Sequence, residues 1–153
     1  MTISGLQGAT RAGVLGNLTR RATATVAADQ DLFSIDGGRV LLTGFCGLVT
    51  TAIGSGSHDL ELDFDPDDGG SNVALSTLVA ADADPTGTMY TLNPTAGGAL
   101  VATLDVAYNA ALATPILLTE GDIVLDVTGT EAGSIQWEAM WIAWDPDGVL
   151  TAV

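Results

Sequence analysis

Lysine is absent from this chain, and its four basic residues are arginines at positions 11, 20, 21 and 39. Against them stand 19 carboxylates, for a net charge of −15. A surface so short of cations repels phosphate, which argues against direct contact with nucleic acid or with an anionic membrane. The single cysteine, Cys46, rules out an internal disulfide, and its apolar neighbours suit a small packed hydrophobe. Long hydrophobic runs are missing too. The most apolar stretch, Val40 to Ile53, is interrupted by Thr43, Gly44, Gly47, Thr50 and Thr51, and falls well short of the ~20 residues of a membrane span. No continuous hydrophobic segment follows a basic start, so no secretory signal is read, and the match of Asn17-Leu18-Thr19 to a glycosylation acceptor is fortuitous. Phosphate loops, paired-cysteine metal sites and dinucleotide fingerprints do not occur.

What is present is a chain of 153 residues, 47% hydrophobic, with 19 glycines. That suffices for one domain with a proper core. The charge is unevenly placed. Residues 1–28 hold three arginines and no acid, while residues 29–153 hold one arginine and all nineteen acids, or −18. The first segment, with glycines at 5, 8, 13 and 16, reads as an extended basic arm containing one strand near residues 22–27. The remainder reads as an acidic β domain.

Along that domain, short apolar runs alternate with turn chemistry. Asp31–Ile35 precedes an Asp36-Gly37-Gly38 turn, and a long strand over Arg39–Ile53 contains Gly44 and Gly47, which signal a bulge or a close backbone approach. His58–Asp65 alternates cleanly, with Leu60, Leu62 and Phe64 inward and Glu61, Asp63 and Asp65 outward. Weaker strands follow over Asn72–Ala80, Thr88–Leu92, Leu100–Val106 and Ile116–Thr119. Gly121–Trp144 reads as a closing hairpin whose second strand carries all three tryptophans. Its residues Ile135, Trp137, Ala139, Trp141 and Ala143 belong to a core face. Met140, Ile142 and Trp144 lie on the other face, as possible subunit contacts. Eight or nine strands without an amphipathic helix predict an all-β fold, a β-sandwich or jelly roll.

Three clusters invite chemistry. The acidic run Asp59, Glu61, Asp63, Asp65, Asp67, Asp68 has the oxygen ligands that calcium prefers. However, Gly69 comes one place late for an EF-hand loop, and Ala74 stands where its closing Glu would fall. On a strand, Glu61, Asp63 and Asp65 form a solvated ladder at ~7 Å intervals. His58 is the only histidine, and Ser55 and Ser57 beside it lack a nucleophile elbow, so no catalytic residue is assigned. Nor is a resident metal or cofactor.

The stretch Asp31-Leu-Phe-Ser-Ile-Asp-Gly-Gly-Arg-Val-Leu-Leu-Thr-Gly-Phe-Cys-Gly-Leu-Val-Thr-Thr-Ala-Ile53 resembles a pattern in small virion proteins of tailed bacteriophages. In those, a Leu-Phe-x-Val-x-Gly-Gly-x-Val-x-Ile opening precedes a strand ending in Val-Thr-Thr. Thr114-Pro115-Ile116, Gly121-Asp122-Ile123 and Gly133-Ser134-Ile135-Gln136-Trp137 continue the likeness, which spans about residues 25–145. These are strand-and-turn patterns, not catalytic signatures. Among such proteins, size and the basic arm look most like a capsid decoration, or cement, protein. The resemblance implies a non-enzymatic homotrimer on the outer capsid surface of the virion, clamping neighbouring capsomers. Arg11, Arg20 and Arg21 would then reach carboxylates of the major capsid protein. The alternative is a receptor- or glycan-binding module of a head fibre or tail, calcium-assisted through Asp59–Asp68. A hydrolase built on His58 ranks last.

Overall fold

A computed structural model describes residues 16–92, 98, 100–104, 111–130 and 132–153. Among these residues there is no helix, and thirteen strands form two antiparallel sheets, a β-sandwich. The larger sheet contains β1 (Asn17–Arg20), β2 (Ala24–Thr25), β4 (Val40–Thr51), β8 (Thr88–Thr91), β9 (Val101–Leu104), β10 (Ala111–Leu118) and β12 (Ser134–Ala143). The smaller contains β3 (Gln30–Asp36), β5 (Asp59–Pro66), β6 (Val73–Ala74), β7 (Val79–Ala80), β11 (Gly121–Thr128) and β13 (Val149–Ala152). The excess over the eight or nine expected comes from very short strands such as β2, β6 and β7, each of two residues. Residues 109 and 110 of the alanine-rich stretch, and the Asn93-Pro94 break, lie outside the described residues.

The expected hairpin over residues 121–144 does not form. β11 lies between β3 and β5 in the smaller sheet, and β12 lies between β1 and β4 in the larger. Side-chain size explains the choice of partner. The inward face of β12 alternates large and small, and β4 answers it in the opposite phase. Trp137 is registered with Gly47, and Ala139 with Phe45. The inward residues of β11, Ile123 and Leu125, leave no such space for an indole. The connecting segment therefore crosses between sheets, with Gly129 and Gly133 at φ of 107° and 156°.

Both glycines flagged in the long strand have the expected roles. The register of β4 against β12 shifts between Leu42 and Gly44, a bulge centred on Thr43. At Gly47 the ring of Trp137 occupies the place of a side chain, so a Cβ there would collide with the indole. Trp137 is 1% exposed and lies between Tyr90 and Phe45, at ring-centroid distances of 6.3 and 5.4 Å. Phe45 in turn meets Phe33 of the opposite sheet edge-on at 5.9 Å and 81°, joining the two layers.

The second half of the basic segment is part of this architecture. β1 and β2 run antiparallel along the outer edge of β12, registering Leu18 with Met140 and Ala24 with Ile135. Thr19 fastens this edge to the other sheet. The buried Trp141 indole donates to Thr19 Oγ1 at 2.9 Å, and that hydroxyl donates to the Leu150 carbonyl at 3.0 Å. The packing around Gly47 sets a test. Gly47→Ala forces a methyl into a filled core and should cost about 1–3 kcal/mol, read as a lower urea midpoint at unchanged slope. An unshifted midpoint would show that the ring does not rest on the glycine.

Candidate functional site

Strand alternation gives the sandwich two outward faces of different chemistry. In the larger sheet, the strands carry only two charged residues, Arg20 and Glu138. These neutralise each other at 2.5 Å across the β1–β12 pair. The strands of the smaller sheet carry Asp31, Asp36, Asp59, Glu61, Asp63, Asp65, Asp122 and Asp126, and no base.

This net-neutral face includes the expected contact residues. Met140 is half-buried, whereas Ile142 is 39% and Trp144 56% exposed. Register adds neighbours that sequence alone did not supply. Leu117, Leu41 and Ile142 form one row across β10, β4 and β12, and Leu18 sits opposite Met140 in the next. Leu18 and Leu117 are 41% and 43% exposed. These residues come from four strands distant in sequence, so only the pairing reveals the patch. Beside Trp144, Asp145 accepts from the backbone N–H and Nε of Arg39 at 2.9 Å each. Hydrogen bonds from Arg39 hold this carboxyl down at about 2.

Of the three arginines assigned to a capsid-binding arm, the two described, Arg20 and Arg21, are both engaged within the chain. Arg11 lies outside the described residues. Arg20 pairs with Glu138, and Arg21 donates from Nε to the Val153 main-chain oxygen and from Nη1 to Gln30 Oε1, both at 2.9 Å. The described pair therefore holds the N-terminal edge of the sandwich in place.

The acidic run divides between a strand and a turn. Glu61, Asp63 and Asp65 alternate outward along β5, whereas Asp68 caps its own turn by accepting from Gly70 N–H at 2.8 Å. Asp67, Asp68, Thr119 and Glu120 line an open cleft of about 310 Å³. Among the described residues, no three His, Cys, Asp or Glu side chains converge as a metal site would require. The carboxylates instead crowd one another. Glu61 stands directly opposite Asp126, and Asp63 opposite Val124. Partial burial, then the charges of Asp63 and Asp126, raise Glu61 above the ordinary carboxylate range. Asp126 is raised by burial, by the charges of Asp63 and Asp29, and by a hydrogen bond with Asp63.

His58 is fully buried, and neither ring nitrogen has a hydrogen-bond partner among the described residues. Its backbone N–H donates to Asp82 Oδ1 at 2.6 Å, and Gly129 packs beside the ring. Thr88 Oγ1 is likewise buried without a partner, while the Tyr90 hydroxyl donates to Asp84. Burial and that contact raise the phenol and keep it protonated. An imidazole sealed in this way cannot meet a substrate unless the surrounding loops open. No family model, curated protein or solved structure matches the chain.

Two outcomes follow from these side chains. Because Glu61 and Asp126 are raised on folding, the folded chain keeps protons that the unfolded chain has released. Through these groups, stability rises as pH falls from neutrality through their folded values, and falls as pH rises. Asp126→Asn should raise Tm at pH 7, with the gain shrinking toward about pH 4, near the unfolded carboxylate value. A gain of equal size at both pH values would refute the crowding. For the second, His58→Leu should leave stability unchanged or higher, because no hydrogen bond is removed. A loss beyond about 1 kcal/mol in denaturant unfolding would reveal a partner for the ring.

Proposed function

We propose that this chain is a non-enzymatic virion structural protein, a capsid decoration (cement) protein. In this reading it binds the outer capsid surface as a homotrimer and stabilises contacts between capsomers, with the major capsid protein as its partner. The observation that carries the reading is the net-neutral, partly apolar outer face of the larger sheet on an otherwise acidic body, a surface suited to binding protein. The resemblance of residues 31–53 and 114–137 to phage virion proteins supplies the setting. The buried His58 and the lack of converging metal ligands among the described residues favour adhesion over chemistry.

The proposed role of the arm narrows accordingly. Since Arg20 and Arg21 are engaged within the chain, the capsid-reaching element is assigned to residues 1–15, with Arg11 as its basic residue. Weak contacts from several copies would add through a high effective concentration on the particle. The glycan-binding alternative calls for an exposed aromatic beside the acidic run. The exposed Trp144 instead follows β12 of the larger sheet, whereas Asp59–Asp65 lies on β5 of the smaller.

Deletion of residues 1–15 should abolish association with capsids while leaving the circular dichroism and Tm of the domain intact, because β1 starts at Asn17. Cryo-electron microscopy of particles carrying the full-length chain should show the sandwich on the outer capsid surface. Equal occupancy by the truncated chain would overturn the arm's role. Density at the tail alone, or none on the particle, would overturn the decoration reading.

A further inference from the structure

We infer that the outer face of the larger sheet joins copies of this chain to one another, through a patch that extends well beyond the end of β12. It rests on the oligomeric part of the reading above and is independent of the capsid part. The patch has two adjacent rows. Leu117, Leu41 and Ile142 span three strands, Leu18 and Met140 continue onto the fourth, and Trp144 stands at the end. The four most open of these side chains are 39–56% exposed, so the patch is poorly covered by the chain's own described residues.

Charge selects the occupant. At −15, two copies of this chain repel wherever their carboxylates approach. They can touch without that penalty only where unpaired charge is missing. The strands of the larger sheet meet the condition, since Arg20 and Glu138 cancel. The strands of the smaller sheet do not, because every charge on them is negative. A second copy offering the same net-neutral face therefore fits. When two sandwiches meet through their larger sheets, the acidic faces point away from each other. Four layers at ~10 Å spacing put those faces ~30 Å apart. That is several times the ~8 Å Debye length at physiological salt. Face-to-face contact is one such arrangement, and closure around a three-fold axis through the same patch is another.

Sedimentation equilibrium and light scattering on the purified full chain, without particles, test the inference at low and high salt. The wild type should sediment as a multiple of its 15.5 kDa monomer, with little dependence on salt. Ile142→Asp and Leu117→Asp should each reduce it to monomer, with circular dichroism and Tm unchanged. If either aspartate disturbs folding, Ile142→Thr and Leu117→Thr serve instead and should weaken association at least tenfold. Asp122→Asn, on the opposite sheet, should leave the mass unchanged. A wild type that stays monomeric throughout, or face variants that stay oligomeric, would overturn the inference. A monomeric wild type that still decorates capsids would do so while leaving the capsid reading intact.

Discussion

The ring of Trp137 lies across the backbone of Gly47, and much of the fold follows from that contact. An indole buries more apolar surface than any other side chain, but it needs a neighbouring strand position with no side chain of its own. β4 offers that position in register at Gly47, and β12 pairs with it and not with the strand that precedes it in sequence. Once this pair is set, Tyr90 and Phe45 flank the ring, and Phe45 carries the contact across to Phe33 in the other layer. β11, excluded from β12, completes the smaller sheet between β3 and β5. One large residue opposite one absent side chain thus sorts the closing strands into their layers.

The same pairing explains which parts of the fold were legible in sequence. Period-two alternation identified the inward faces of β5 and β12, because each strand has one buried side and reports it residue by residue. The two glycines of β4 announced a bulge and a close approach at the places where both occur. Partnership was not legible. The 121–144 stretch has the local signature of a hairpin, and nothing in its alternation says that the turn crosses between sheets. Of the strands at 17–25, β2 falls within the strand expected near residues 22–27, whereas β1 was hidden for a related reason. Its stability comes from β12 more than a hundred residues away, with no strong local pattern of its own. Leu18, Leu41 and Leu117 could not be grouped with Ile142 until register placed them side by side.

Charge separates along the same layers. The strands of the larger sheet need few carboxylates on their outward side, whereas β5 and β11 concentrate theirs, and partial burial together with mutual repulsion makes Glu61 and Asp126 reluctant to ionise. That crowding of half-buried carboxylates is a local loss of stability. An arrangement of this kind is useful when one side of a domain meets protein and the other must remain hydrated at high local density.

The threonine clasp between Trp141 and Leu150 has a further consequence for synthesis. The partners of Thr19 lie 122 and 131 residues downstream. During synthesis, residues 17–25 emerge well before β12 and wait for it before their sheet edge exists. β3 waits likewise for β11 and β13. Such long-range closure places the sandwich among the slower-folding topologies and makes completion of the C-terminal strands the event that commits the N-terminal ones. Until then, the tryptophan strand's own edge is unsealed. A chain cut short before Leu150 would therefore keep the β1–β12 pairing but lose both the acceptor for the Thr19 hydroxyl and the strand that covers β3.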